Sequence, residues 1–415
     1  AAVPRATAAG DEALTTAAAV VADVAARGEV SLREQAARFD GVEGHAVRVP
    51  AEHLDEALAS LDPGIRSALE NAISRVRLAS AAQVPAPVVT EIGPGARVEQ
   101  HWRPVRRAGV YVPGGKAVYP SSVVMNVVPA QVAGVQQVAL ASPPQRDHDG
   151  RVHPVILAAA KLLGVTEVYA MGGAGAIGAY AHGVPAIDLA PVDVISGPGN
   201  NFVALAKRVV AGMVGTDSEA GATEILIVAD DSADARLVAA DLVSQAEHDE
   251  QAAAVLVTDS ATLAEAVVAE VQKRAAATHH AERVAQALAG PQSAVVLVDD
   301  IATATAFSNA YAPEHLELHL RDPRPEEYVN AGAVFVGQWT PVSLGDYLAG
   351  SNHVLPTGGQ ARYASGLSAS TFLRPQQVIA YDREALQTVH RDIVTLANAE
   401  VLPAHGEAVT ARFDA

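Results

Sequence analysis

Glu314 and His315 stand side by side in the stretch Tyr311-Ala312-Pro313-Glu314-His315-Leu316. An adjacent carboxylate and imidazole offer two proton-transfer groups in one place, and imidazole is the side chain that titrates nearest neutrality. Pro313 keeps a preceding helix from running on. Leu316, Leu318 and Leu320 then alternate as in a strand. A plainer account stays open, in which the pair is an exposed polar strand start. His315 and His319 are four apart, but a zincin needs Glu directly after the first His, on a helix. The order His-Leu-Glu-Leu-His excludes it.

Gln245 and His248 form a second group. Val238, Leu242 and Gln245 fall at i, i+4 and i+7 of a helical stretch, so Gln245 shares its buried face and His248 lies one turn further on. An amide oxygen and an imidazole so spaced can grip one metal ion, although a His near a helix C-terminus is commonly a cap. A third group lies in Leu344-Gly345-Asp346-Tyr347 and the Gly- and polar-rich run from Gly350 to Gly358. There Asp346 is a hard oxygen ligand and His353 a donor or base, on the kind of loop that carries function. Glu400 and His405 flank Pro403 near the end of the chain. Taken singly, each of these is a solvated polar residue.

Two glycine turns complete the inventory. Gly173-Ala174-Gly175-Ala176-Ile177-Gly178 matches the G-x-G-x-x-G pattern that brings backbone amides and a helix N-terminus to a pyrophosphate, and Asp193 follows about twenty residues on. Gly197-Pro198-Gly199-Asn200-Asn201 is the second. Both follow strand-like runs, at the edge where open α/β sheets bind ligands. Connector chemistry in a Gly/Ala-rich chain accounts for them equally well.

The elements that must hold these residues are legible from about residue 105. Strand-length apolar runs (Gly109–Val112, Val138–Ala141, Glu167–Met171, Val192–Ser196) alternate with Ala-rich helical stretches. A second series follows at Ile225–Ala229, Ala254–Thr258, Val295–Val298 and Ala333–Gly337. Such alternation means βαβ units, hence an α/β protein with two doubly wound, Rossmann-like parallel sheets. The expected division is a mainly helical segment at 1–104, a first Rossmann-like domain at 105–222, a second at 223–367, and a helical tail at 368–415 with no sheet of its own.

Bulk properties narrow the function classes. A chain of 415 residues calls for two sizeable cores. Half its residues are hydrophobic but only 4% aromatic, which suits Ala/Val-rich helices on parallel sheet. With 47 acids against 29 bases the formal charge is −18, a surface that repels nucleic acid and anionic membranes. Neither is an expected partner. Absence of Cys removes thiolate zinc sites and cysteine nucleophiles and fits a reducing, cytoplasmic setting. No charged leader with an apolar core and no run of eighteen apolar residues is present. The chain opens on Ala1 rather than Met, so further residues are expected before it.

Taken together, the sequence resembles the histidinol dehydrogenase family, from about Gly28 to the C-terminus. The resemblance is carried by Gly109–Gly115 (GVYVPGG), Asp241–His248 (DLVSQAEH), Tyr311–Leu316 (YAPEHL) and Ser343–Thr357 (SLGDYLAGSNHVLPT). It implies an NAD-linked, zinc-dependent oxidation of L-histidinol through L-histidinal to L-histidine, the final step of histidine biosynthesis. Zinc, one per subunit, would be held by Gln245, His248, Asp346 and His405. Glu314 and His315 would be the catalytic acid/base pair. Substrate contacts fall to Thr223, His353 and Glu400 alongside Gln245, His248, His315, Asp346 and His405. NAD contacts fall to Tyr111 and Asn200, which makes the first Rossmann-like domain the NAD side and the second the zinc and catalytic side. The resemblance also implies an intertwined homodimer whose helical tail completes the partner's site.

Two positions depart from the family pattern. Gly175 stands where Gln is common, and Gly221-Ala222-Thr223-Glu224 stands where a G-P-S-E turn is common; Thr223 keeps the hydroxyl. Without Cys, aldehyde oxidation is expected to run through the hydrate, with Glu314 activating water and His315 taking the hydroxyl proton. Competing readings are an enzyme of this type for another small alcohol, a zinc-dependent hydrolase with no need of NAD, and a catalytically dead imidazole-binding protein, against which the intact Glu314–His315 pair argues.

Overall fold

The alternating apolar runs become two five-stranded parallel sheets in the computed structural model, and a separate three-stranded antiparallel sheet is also present. The structure describes residues 3–5, 11–114, 118–218 and 221–414; Gly115, which ends the GVYVPGG stretch, lies outside them. The chain divides into two compact units, one from Ala1–Gln83 with Val105–Phe372 and the other from Val84–Pro104 with Leu373–Ala415.

In chain order the strands are β1 (Val88–Gly93), β2 (Ala96–Pro104), β3 (Arg107–Tyr111), β4 (Gln137–Ser142), β5 (Glu167–Ala170), β6 (Val194–Ser196) and β7 (Gly215–Thr216). They continue with β8 (Glu224–Ala229), β9 (Ala253–Thr258), β10 (Ala294–Leu297), β11 (His315–His319), β12 (Ala333–Val336) and β13 (Leu373–Tyr381). The first parallel sheet has the order β5-β4-β3-β6-β7 and the second β10-β9-β8-β11-β12. In each, the first strand of the series sits in the middle, the chain builds outward to one edge, then crosses back and builds to the other. Both sheets are doubly wound as expected, with switch points between β3 and β6 and between β8 and β11. The shared order is what a duplication leaves when its residues no longer match.

The central strands β3, β4, β8 and β9 read as apolar runs because both faces are covered. In β8 every residue is buried. Ile225 and Ile227 pack with Val238 and Leu242 on one face, while Leu226 and Val228 pack with Leu316, Leu318 and Tyr311 on the other. The N-terminal helices clothe the first sheet's helices. Helix Asp11–Arg27 lies on Gly173–His182 and Asn201–Val210, Ala51–Ala59 on Pro154–Leu162, and Pro63–Ala82 on Pro120–Ala133.

The second unit holds the departures from the expected elements. Residues 88–104, within the segment expected to be mainly helical, form an antiparallel hairpin, and the tail begins with a strand, β13, that pairs with β2 along its whole length. These strands carry Glu99, Gln100, His101, Gln376 and Gln377 and are largely exposed, so they lack the apolar runs by which strands announce themselves. Helices Arg383–Ala399 and Pro403–Thr410 follow and pack on each other. No helix among the described residues is long and apolar enough to cross a membrane.

Candidate active site

A cavity of about 790 Å³ lies in the first unit, in the range that holds a small ligand. From the first sheet it takes carboxyl-end residues, Tyr111 at the close of β3 and Pro198–Asn201 after β6. This is that sheet's switch point. From the second sheet it takes amino-end residues, Thr223 before β8 and Glu314–His315 where β11 begins. At the second sheet's own carboxyl end, Asp230 after β8 accepts from the Arg321 amide (2.8 Å) and donates its amide to the His319 carbonyl (3.2 Å), linking the ends of β8 and β11.

Glu314 and His315 are both buried. Helix Ile301–Tyr311 stops at Ala312, which takes a left-handed conformation (φ 51°), and Pro313 then turns the chain into β11. Glu314 Oε2 accepts from the Thr223 hydroxyl (2.6 Å) and the Glu224 amide (2.8 Å). Burial pushes its carboxyl above the usual range, against the pull of His315. His315 Nδ1 lies 3.1 Å from the Glu224 carbonyl and 3.5 Å from Glu314 Oε2. A carbonyl only accepts, so Nδ1 carries the proton, and in the neutral ring Nε2 keeps its lone pair. The ring is thereby held in the tautomer that can act as a base.

Around this pair stand the other expected residues. Gln245 is buried on helix Ala235–Ala246 and donates Nε2 to the Thr223 hydroxyl (2.6 Å). Its Oε1 has no hydrogen-bond partner among the described residues. An orphaned interior amide oxygen is costly, and it fits a metal that takes an oxygen ligand there. His248 lines the cavity just past that helix, its Nδ1 3.3 Å from the Ser244 carbonyl. Asp346 lines it from helix Val342–Tyr347, whose first amide donates to Glu317 Oε1 (2.7 Å). His353 donates Nδ1–H to the Asp346 carbonyl (2.9 Å) and meets Ser122 Oγ at 3.3 Å through Nε2. Burial lowers its pKa, against the pull of Asp346. Oxygen and imidazole donors with no thiolate suit zinc.

Tyr111 and Asn200 face the cavity as well. Asn200 caps helix Asn201–Val210, accepting from Phe202 and Val203 amides (3.0 and 3.2 Å), which leaves its NH₂ for any ligand contact. The Gly173–Gly178 turn is absent from the lining. Among its glycines, Gly178 has a packing reason, since a Cβ there would sit 3.2 Å from Val21 Cα, and Gly173 takes a left-handed conformation (φ 59°). Tyr111 Oη accepts the Gly173 amide (3.1 Å), and Asp193 accepts from the Arg106 and Arg107 amides (both 2.9 Å). Glu400 and His405 belong to the second unit and are likewise absent from the lining.

Sequence reasoning missed Glu224, whose backbone touches both members of the pair, and Ser122. Neither carries a motif of its own; adjacency to Thr223 was the only signal for Glu224. It also missed the buried group Asp241, Glu317 and His319, close enough together to hold a cation. Glu317 there already serves the Val342 amide and His319 Nε2 (3.2 Å). The group reads as a carboxyl–imidazole network tying helix Ala235–Ala246 to β11.

The family model for histidinol dehydrogenase matches residues 3–413, nearly the whole chain. The chain belongs to the histidinol dehydrogenase family. A histidinol dehydrogenase from Leifsonia xyli subsp. xyli is 64% identical over 414 residues, covering 99% of this chain and 95% of that one. The crystal structure of histidinol dehydrogenase from Elizabethkingia anophelis superposes with a TM-score of 0.94 at 32% identity, covering 99% and 94%. An acetylating aldehyde dehydrogenase from Geobacillus thermoglucosidasius gives 0.51 at 14% identity over 90% and 92%, a likeness of fold alone. Membership in the histidinol dehydrogenase family makes the chain an oxidoreductase of histidine biosynthesis.

Proposed function

We propose that this chain oxidises L-histidinol through L-histidinal to L-histidine in the cytoplasm, with NAD as oxidant and one zinc per subunit. The observation that carries the reading is the pairing of a buried Glu314 with a His315 whose Nε2 is free to take a proton. Gln245, His248 and Asp346 would hold zinc together with His405 of the partner subunit in a homodimer. Thr223, His353 and Glu400 would contact the substrate. When bound, zinc supplies a Lewis acid that orients and polarises the amino alcohol, and NAD, near Tyr111 and Asn200, supplies the hydride acceptor.

The chain's own residues do the proton work. In the first oxidation His315 Nε2 takes the hydroxyl proton as the carbinol carbon gives up hydride, leaving the aldehyde. Glu314 then removes a proton from water as its oxygen bonds to the aldehyde carbon, and His315 returns the proton it took to the carbonyl oxygen, giving the hydrate and a neutral ring. His315 takes a hydroxyl proton from the hydrate as the second hydride leaves, and the acid results. A chain without Cys has no thiolate on which to form the alternative adduct. The reading is tested by NADH formation from histidinol, before and after chelation and with zinc restored. Two NADH per histidinol, lost on chelation and regained with zinc, are expected. His248→Ala should also bind at least ~10-fold less zinc by elemental analysis. Full turnover in metal-free protein would sink the zinc assignment, and no NADH would sink the activity.

A further inference from the structure

Glu224 is the residue on which the two members of the acid/base pair converge. Its amide holds Glu314 Oε2 (2.8 Å) and its carbonyl holds His315 Nδ1 (3.1 Å). The backbone of that one residue, through its two flanking peptide groups, therefore touches both members of the pair. Its own side chain is buried and points to a cation from far away in the chain: Arg5 Nε donates to Glu224 Oε1 (2.7 Å), and Arg5 Nη2 to Oε2 (3.3 Å). The same Nη2 also donates to the carbonyls of Tyr311 and Ala312, the latter at 3.2 Å. The guanidinium carbon lies 4.1 Å from the centroid of the Tyr311 ring.

Arg5 thus grips two elements at once. One is the start of β8, with Thr223 and Glu224; the other is the helix end that turns through left-handed Ala312 into Glu314 and His315. These are the two segments whose front edges meet in the Thr223–Glu314 and Glu224–His315 hydrogen bonds. Gly359, next to Gly358 whose amide also serves Glu224 Oε1 (3.2 Å), leaves the room, since a Cβ there would fall 2.3 Å from Arg5 Nη1. Val3 is buried in the same core as Tyr311, Leu316 and Leu318, and so anchors the segment that delivers Arg5. A planar fork with five donors suits this division between a carboxylate and two carbonyls; an ammonium could satisfy only part of it.

We infer that Arg5 is a positioning residue for the oxidation: acting through Glu224 and the Tyr311–Ala312 carbonyls, it holds Glu314 and His315 in register. The inference rests on the activity proposed above. Arg5 touches neither the cavity nor any group assigned to substrate, so its loss should slow the chemistry and spare binding. Displacement of reacting groups by about an ångström costs up to ~100-fold.

The test uses the full chain, zinc-loaded. Arg5→Ala should lower kcat for histidinol about tenfold or more while KM stays within about twofold, with Arg5→Lys in between. A double-mutant cycle with Glu314→Gln, assayed on the aldehyde, separates positioning from general damage. With the base already disabled, Arg5→Ala should cost clearly less than it does in the native background. Equal costs in both backgrounds, an unchanged kcat, or a rise in KM alone would overturn the inference. If Arg5→Ala fails to fold, Arg5→Lys run through the same cycle decides by the same criteria. Wild-type protein that makes no NADH from histidinol would instead refute the activity itself.

Discussion

The hydroxyl of Thr223 is divided between two partners: it accepts from Gln245 Nε2 and donates to Glu314 Oε2, both at 2.6 Å. One small group thereby links the residue with the orphaned amide oxygen to the proposed water-activating carboxylate. Its only hydrogen is committed to Glu314, so any role toward substrate falls to a lone pair. Thr223→Ser should keep nearly all activity. Thr223→Val, the same shape without the oxygen, strips Gln245 Nε2 of its partner at ~1–3 kcal/mol and leaves Glu314 Oε2 with the Glu224 amide alone, and should cost roughly tenfold or more. Glu314→Gln should slow oxidation of supplied aldehyde by ~10²–10⁴-fold and alcohol oxidation by less. Stopped-flow NADH formation from each substrate checks all three variants. Equal rates for Thr223→Val and Thr223→Ser would remove the relay from the account.

At the scale of elements, helix Ala235–Ala246 and strand β11 carry the metal-side and proton-side residues, and their inner faces meet through Asp241, Glu317 and His319. Burial, and then the charge of Glu317, push the Asp241 carboxyl up to about 7. In the unfolded chain it titrates near ~3.9. Between those values the folded protein holds a proton that the unfolded chain has released, so this group's contribution to stability falls as pH rises through that window. Asp241→Asn removes that dependence. The variant's Tm relative to wild type should therefore climb from about pH 4 to about pH 8, as thermal unfolding across the range would record. A constant difference would mean that Asp241 is ionised in the fold throughout.

For the whole molecule, the proposed homodimer gives Glu400 and His405 of each tail to the partner's site. A two-fold dimer makes exchange reciprocal, each tail completing the other chain's site. His248→Ala and His405→Ala homodimers should each be nearly inactive. Unfolded, mixed equally and refolded together, about half the dimers pair one of each, and half their sites are intact, so roughly a quarter of wild-type activity should return. No recovery with heterodimers present would mean that the tail serves its own chain.

The sequence by itself determined the two wound sheets, because most of their covered parallel strands are apolar runs alternating with helical stretches. It also determined the family, through motifs whose residue types the chemistry requires. It left the hairpin β1–β2 and strand β13 unread, since exposed polar strands are specified by pairing with each other and not by local pattern. It supplied Glu314, His315, Gln245 and Thr223 as separate residues. Only the tertiary structure decided that the first sheet presents its carboxyl edge and the second its amino edge to one cavity. Only there, too, does Arg5, more than two hundred residues away in the chain, meet Glu224. Such pairings depend on packing geometry between elements, which no spacing along the chain encodes.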